Sequence, residues 1–190
     1  MLFRSAYLKT HYPAAFLAAS MSADMNNTDN IQIFFEDCKP NGVELLPPDI
    51  NQSGFEFIPT NTTQVLYGLG AIKGTGLAAI ELILESRQKL GPFKNLFDFC
   101  ARLDLRKVNR RVVESLIRGG AFDSLESNRA ALLARVNLAI TAAEQGKANI
   151  GQNSLFGEEQ TQKIEMVKID PWTPQQKLQE EKAEIGRAHV

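Results

Sequence analysis

Histidine and cysteine are nearly missing from this chain of 190 residues. Cys38 and Cys100 lie far apart, neither sits in a CxxC pair, and His11 and His189 are too few to complete a zinc site. No apolar run approaches the length that crosses a bilayer. The opening MLFRSAYLKTHYPAAFLAASMSA mimics a signal peptide, with an early Arg4 and small residues later. Lys9, His11 and Pro13 nevertheless interrupt its apolar centre. These absences point to a reducing, cytoplasmic setting with no membrane. A net charge of one sign is missing as well, since the formal total is −1. What is present is ordinary for a folding chain: 44% hydrophobic and 23% charged residues, enough for one domain or two small ones.

The small total conceals an uneven distribution. Residues 1–72 sum to −4, residues 73–135 to +5, residues 136–150 to 0 and residues 151–190 to −2. The middle is a basic island in an acidic chain, which suits contact with a polyanion, although a solvated helical surface gives the same count.

Apolar spacing predicts a mainly α fold with a small β hairpin. Pro13 fits a first helical position, and Phe16, Leu17 and Met21 share one side of the helix that follows. Asn26, Asn27 and Thr28 provide a break and a cap. The next helix sets Ile31, Phe34, Phe35 and Cys38 toward the core and stops at Pro40–Gly42. VELLPPDINQS reads as a short strand ended by Pro47 and Pro48, and FEFIP and QVLYGLG alternate around Asn61–Thr63 as a hairpin. Further helices are expected from about Gly76 to Lys89 and from about Leu105 to Arg118, the second with Val112, Val113, Leu116 and Ile117 buried. Glu114 is placed to pair with Arg110 and Arg118, and Gly119–Gly120 releases the chain. Ser127 would cap a long helix ending at Gly146. Residues 146–184, rich in Gln, Glu and Lys, read as a flexible linker carrying short motifs.

One stretch, AIKGTGLAAIELIL, puts Gly74 and Gly76 at the mouth of a helix. Glycine admits backbone angles closed to other residues, so the turn can be tight and leave N–H donors facing outward at the helix start. With the helix dipole, such donors hold a phosphate. Two ligand classes fit. Gly74, Gly76 and Ala79 match the GxGxxA spacing of a dinucleotide site, but that site needs a preceding strand, a second parallel strand and an acidic residue about 20 positions on. GPFKNLFDFCARLDLRKVNRR follows instead. The other ligand is a nucleic-acid backbone, gripped by a helix–hairpin–helix whose turn is Lys73, Gly74, Thr75 and Gly76. Arg106, Lys107, Arg110 and Arg111 cluster downstream and suit the same backbone. A glycine turn that only packs helices closely is the plain alternative.

A second motif, IGQNSLFGE, sets Gln152 three residues ahead of Leu155 and Phe156. In a flexible segment these apolar residues either tuck onto their own domain or enter a partner's pocket, with the Gln amide at its rim. The paired carboxylates Asp24 with Asp29 and Glu36 with Asp37 lie on helices or caps without phosphate-binding neighbours, and read as structural.

Taken together, AYLKTHYPAAFLAASMSADMNNT, LLPPDIN, YGLGAIKGTG, FKNLFDFCARLD, VNRRVVESLIRGGAFDSL and NRAALL closely resemble the C family of bacterial replicative DNA polymerases, the DNA polymerase III alpha subunits. The resemblance runs from about Ala6 to Lys182. It implies that residues 6–65 are the end of the fingers region, residues 66–135 the helix–hairpin–helix that holds double-stranded primer–template DNA, and residues 136–184 a helix and linker. QNSLF looks like the motif that binds the sliding clamp, with Gln152, Leu155 and Phe156 as anchors. Other replicase subunits would be partners of the full protein. The palm, with the aspartates that hold magnesium for nucleotidyl transfer, is absent from the matched blocks, so no cofactor is expected in this fragment and no polymerisation by it alone. A stand-alone helix–hairpin–helix DNA-binding repair accessory protein is the rival reading.

The ends depart from the family pattern. MLFRS would be encoded by GTG CTC TTC CGA TCT with the GTG read as a start, and IGRAHV by ATC GGA AGA GCA CAC GTC. Both strings resemble a common sequencing-library adapter. Residues 1–5 and 185–190 are therefore expected to be translated adapter, an expectation that other codons in the nucleotide record would overturn, and Arg4, Arg187 and His189 receive no functional reading.

Overall fold

Asparagine caps and apolar spacing set most of the helices. The structure, a computed structural model, describes residues 2–151 and 169–185. Helix α1 (Leu2–His11) is followed at once by α2 (Pro13–Ala23), where Pro13 occupies the first turn and its missing N–H leaves no bond unmade. Helix α2 bears no charged residue, and its Ala14, Leu17, Ala18 and Met21 are buried. Asn27 accepts from the N–H groups of Asp29 and Asn30 and so starts α3 (Thr28–Cys38). In α3, Ile31 and Cys38 are buried as expected, but Phe34 and Phe35 are only half-buried. Phe34 packs against the edge of the core rather than filling it.

Three short strands follow: β1 (Glu44–Leu46), β2 (Ile58–Pro59) and β3 (Gln64–Leu66). The expected hairpin is β2 with β3, antiparallel, pairing Ile58 with Leu66 and Pro59 with Val65. Strand β1 joins the other edge of β3 in parallel, Leu45 opposite Val65, so the sheet order is β1-β3-β2. Parallel neighbours need a long crossover, and nothing local in the sequence reports such a pairing.

A 3-10 turn at Leu69–Ala71 leads into the glycine turn and α4 (Leu77–Leu90). After it come α5 (Leu96–Arg102), α6 (Arg110–Arg118), α7 (Arg129–Gly151) and α8 (Pro174–Ile185). Asn95 caps α5 and Asn109 caps α6, each accepting a backbone N–H three residues on. Helix α6 is shorter than expected at its start. Asp104 draws the N–H groups of Arg106, Lys107 and Val108 into a separate turn, so the helix begins only after Asn109. Asn128, rather than Ser127, caps α7 by accepting from Ala131. That helix also continues past Gly146 to Gly151, because one interior glycine costs only about 1 kcal/mol among good helix formers. Within the stretch read as linker, Thr173 and Gln176 exchange side-chain-to-backbone bonds as a capping box and start α8, which packs on α6.

Helix α7 lies across α5 and α6. Beneath it Phe99 meets Phe93 and Phe122 edge-on, at 4.9 and 5.1 Å between ring centroids. The sheet and helical parts share one core. Asn51 clasps the backbone of Phe93 through both amide atoms, at 2.8 and 3.0 Å, and Arg87 donates to the carbonyls of Ile50 and Ser53.

Candidate nucleic-acid interface

The glycine turn is built from the inside. Ile72 is buried and anchors it, while the Thr75 hydroxyl faces the carbonyls of Leu69 and Ile72 at 2.8 and 2.6 Å. Gly74 has φ +80°, a conformation that a side chain strains. The two glycines are thus not equivalent. Gly76 has φ −87° and ψ 154°, extended geometry open to any residue, and a Cβ there would meet nothing within 4 Å. The glycine demanded by close approach lies upstream instead, at Gly68, where a Cβ would come 2.6 Å from the Phe55 carbonyl oxygen.

Gly76 matters for what it does not supply. It stands at the N-cap of α4, where Asn serves α3, α5, α6 and α7, and it offers no side-chain acceptor. The N–H of Lys73 is taken by the carbonyl of Glu184 and that of Thr75 by Ile72. Among the described residues, the N–H groups of Gly74, Gly76, Leu77 and Ala78 meet no acceptor. A helix of 14 residues therefore opens on uncovered donors at the positive end of its dipole.

Helix α6 delivers its first turn to the same place. A Cβ on Gly74 would lie 3.4 Å from Ser115 Oγ and 3.8 Å from Arg111 Nε, so Arg111 and the glycine turn are neighbours. Arg106, Lys107, Arg110 and Arg111 are all exposed, as is Lys73. Arg106 and Lys107 sit on the turn ahead of α6, and Lys107 lies alongside the second half of α4. There Glu85 is held below the usual carboxylate range, first by the hydrogen bond from Lys89, then by the charges of Lys89 and Lys107.

Ion pairing sorts the basic island. Lys89 pairs with Glu85, Arg102 with Asp98, Arg110 with Glu114, Arg118 with Glu180, Arg129 with Asp123 and Glu181, and Arg135 with Glu126. Burial lowers the pKa of Arg87, with the charge of Asp49 opposing it. Lys73, Arg106, Lys107 and Arg111 have no ion-pair partner among the described residues. Arg110 alone of the five sequence-selected cations is committed to a carboxylate. Thr75 uses its hydroxyl inside the turn. Sequence reasoning expected outward N–H donors at this helix start without naming Leu77 and Ala78, and it missed the contact from Glu184, which has no signal in the sequence.

Gln152, Leu155 and Phe156 lie outside the described residues. Asp24 accepts from Asn30, and Asp37 pairs with Lys9 at 2.6 Å, both structural roles. Among the described residues no three His, Cys, Asp or Glu side chains gather to hold a metal ion. No helix there is long and apolar enough to cross a membrane.

Comparison with known proteins agrees with this geometry. A family model described as a helix-hairpin-helix motif matches residues 42–132. Over 97% of its length the chain is similar to DNA polymerase III subunit alpha of Neisseria meningitidis serogroup A, at 48% identity. It is likewise similar to the subunits of that name from Vibrio cholerae, at 45%, and Escherichia coli K12, at 44%, again over 97% of the chain. The chain spans 16% of the length of each of these relatives.

Proposed function

We propose, from the premise that this chain is homologous to part of DNA polymerase III subunit alpha, that it holds duplex DNA for a bacterial replicative polymerase. The uncovered donors of Gly74, Gly76, Leu77 and Ala78 beside the unpaired Arg111 and Lys73 carry the reading. Backbone N–H groups at a helix start receive a phosphate oxygen, and the neighbouring cations displace its counterions. Such contacts position a duplex without reading its sequence, as a polymerase that copies any template requires. Arg106 and Lys107 extend the positive track along the phosphate backbone, whereas Arg110 supports it through the 2.5 Å pair with Glu114 that stiffens α6.

Nucleotidyl transfer with its magnesium ions belongs, in this reading, to the palm of the polymerase, and the chain by itself holds DNA without extending it. Gln152, Leu155 and Phe156 would tether the sliding clamp, which turns rebinding into an intramolecular event at high effective concentration. The support for that role is their spacing alone. Clamp pull-down by the chain and by Phe156→Ala tests it, with capture lost in the variant. The setting is the cytoplasm, with other replicase subunits as further partners.

The test of the duplex reading is binding of the chain to labelled primer–template across a salt series. Affinity should fall steeply as salt rises, with a slope that shrinks by about 0.9 for each phosphate-contacting cation removed. A salt-independent affinity, or none, refutes it.

A further inference from the structure

Helix α8 lies outside the matched motif, which ends at residue 132, yet its last turn is fastened to the glycine turn. The Glu184 carbonyl accepts the Lys73 N–H at 2.9 Å, and the Ile185 carbonyl accepts from the buried Tyr67 hydroxyl at 3.3 Å. Ile185, the first residue of the stretch expected to be translated adapter, is buried, with Gly119 separating it from Ile72: a Cβ on Gly119 would lie 3.4 Å from Ile185 and 3.3 Å from Ile72, but the bond from Lys73 to Glu184 precedes that stretch. Ile72 is the anchor of the turn.

The rest of α8 is secured to the α6–α7 corner. Arg129, 4% exposed, bridges Asp123 at 2.6 Å and Glu181 at 2.7 Å and also donates to the Arg118 carbonyl. Arg118 reaches Glu180 at 3.3 Å and Glu184 at 3.6 Å, and Lys177 reaches Asp123 at 3.2 Å. Asn128, the cap of α7, donates to the Ile169 carbonyl at 2.8 Å, which fixes the approach to α8. Exposed acidic residues could instead act as a rival for DNA. Here the carboxylates of Glu180, Glu181 and Glu184 are all turned onto protein cations.

We infer that α8 is a strut that presets the glycine turn for a phosphate, with Glu184 and Glu181 as positioning residues of the duplex site. The inference rests on the duplex-holding reading. By taking the Lys73 N–H, α8 fixes the residue immediately before Gly74, so the ordering of the turn is complete before DNA arrives. It leaves untouched the four N–H groups that a phosphate would use.

Amide hydrogen exchange and binding to labelled primer–template, both measured on the whole 190-residue chain and on Ala183→Pro, test the strut. Ala183 is exposed in α8, so proline there breaks the last turn of that helix with no substitution in α4 or α6 and no change in net charge. The expected result is faster exchange at the Lys73 amide and duplex affinity weaker by about tenfold, the equivalent of ordering one backbone residue on binding. Ala183→Ser, which the helix accommodates, should match the parent. Glu181→Gln is the second arm, because it weakens the Arg129 bridge while making the chain more positive. Net charge alone would tighten binding there, and loss of the strut loosens it.

Unchanged exchange at Lys73 in Ala183→Pro overturns the strut. So does faster exchange with undiminished affinity, or tighter binding by Glu181→Gln. A parent chain that fails to bind duplex overturns the duplex reading itself, and the strut's role in binding with it, whatever the exchange shows.

Discussion

Replacing Gly76 by aspartate should move stability and DNA affinity in opposite directions. The backbone at Gly76 already has the extended angles of an N-cap, and a Cβ enters open space, so the substitution adds no strain. An aspartate there accepts an N–H from the first turn of α4 and faces the positive end of its dipole. The cap itself improves on glycine by a few tenths of a kcal/mol, and the charge adds about 0.3–1 kcal/mol. For a chain of this size, that total raises the melting temperature by about 1–6 °C. In the duplex-holding reading, the same carboxylate covers the donors that would receive the phosphate and would lie within a few ångströms of it. At about 4 Å, the repulsion is about 1 kcal/mol in water and about 4 kcal/mol near a protein surface. Duplex affinity should therefore fall by about tenfold or more. Gly76→Asn separates the two effects, since it caps without charge and should lose less affinity. Thermal unfolding and fluorescence anisotropy on the same samples are sufficient. An aspartate variant that is more stable and binds as tightly as the parent would refute the assignment of these N–H groups to a phosphate.

Gly74→Ala should cost about 1–2 kcal/mol of stability, because alanine resists φ +80°, although its Cβ fits at 3.4 Å from Ser115; urea unfolding measures this, and an unchanged midpoint would contradict it. Arg111→Gln should lower duplex affinity and reduce the salt slope by about 0.9, whereas Arg102→Gln, which removes a pair with Asp98, should change stability and leave the slope alone. Equal slopes in the two variants would undo the distinction between free and paired cations. Burial, and then the neighbouring Asp37, pushes the Cys38 thiol from 9.0 up to about 11. The folded state therefore favours the protonated thiol. Stability from this group is complete below pH 9.0 and is lost as pH rises through about 11. Over that window the parent should lose more stability than Cys38→Ala, and parallel losses would show that the thiol is not responsible.

Most helices were legible because their signals are local. Apolar spacing marked α2, α3 and α6, and Glu114 met Arg110 and Arg118 as its position required. Boundaries failed where two capping residues stood together. Ser127 and Asn128 both qualify chemically, and only the placement of α7 against α5 and α6 selects Asn128. The turn at Asp104 shows the same competition, since its carboxylate takes the Arg106 N–H and its carbonyl those of Lys107 and Val108, and the helix that apolar spacing would extend starts only after Asn109. The β1–β3 pairing and the docking of α8 were illegible for a different reason. Both join residues remote in sequence, and the bond from Lys73 to Glu184 spans most of the chain between backbone atoms that carry no residue-specific signature.

For the candidate site, the sequence marked the turn and its neighbouring cations, but not how the two glycines differ. Gly74 and Gly76 look alike as letters, yet Gly74 takes a positive φ that a side chain strains, whereas Gly76 takes an extended angle open to any residue and leaves α4 without a side-chain cap. The difference becomes readable by comparison within the chain. Asparagine opens α3, α5, α6 and α7, and threonine opens α8. Against that pattern, the glycine before α4 is a departure. A helix start with no side-chain acceptor is less stable than a capped one, and the backbone at Gly76 would accept the better residue without strain. Folding alone therefore disfavours Gly76 by only a few tenths of a kcal/mol, and in the proposed reading a phosphate would cap α4 in place of a side chain. In the duplex-holding reading that ligand is a phosphate, drawn by Lys73 ahead of the turn and by Arg111, which lies beside Gly74.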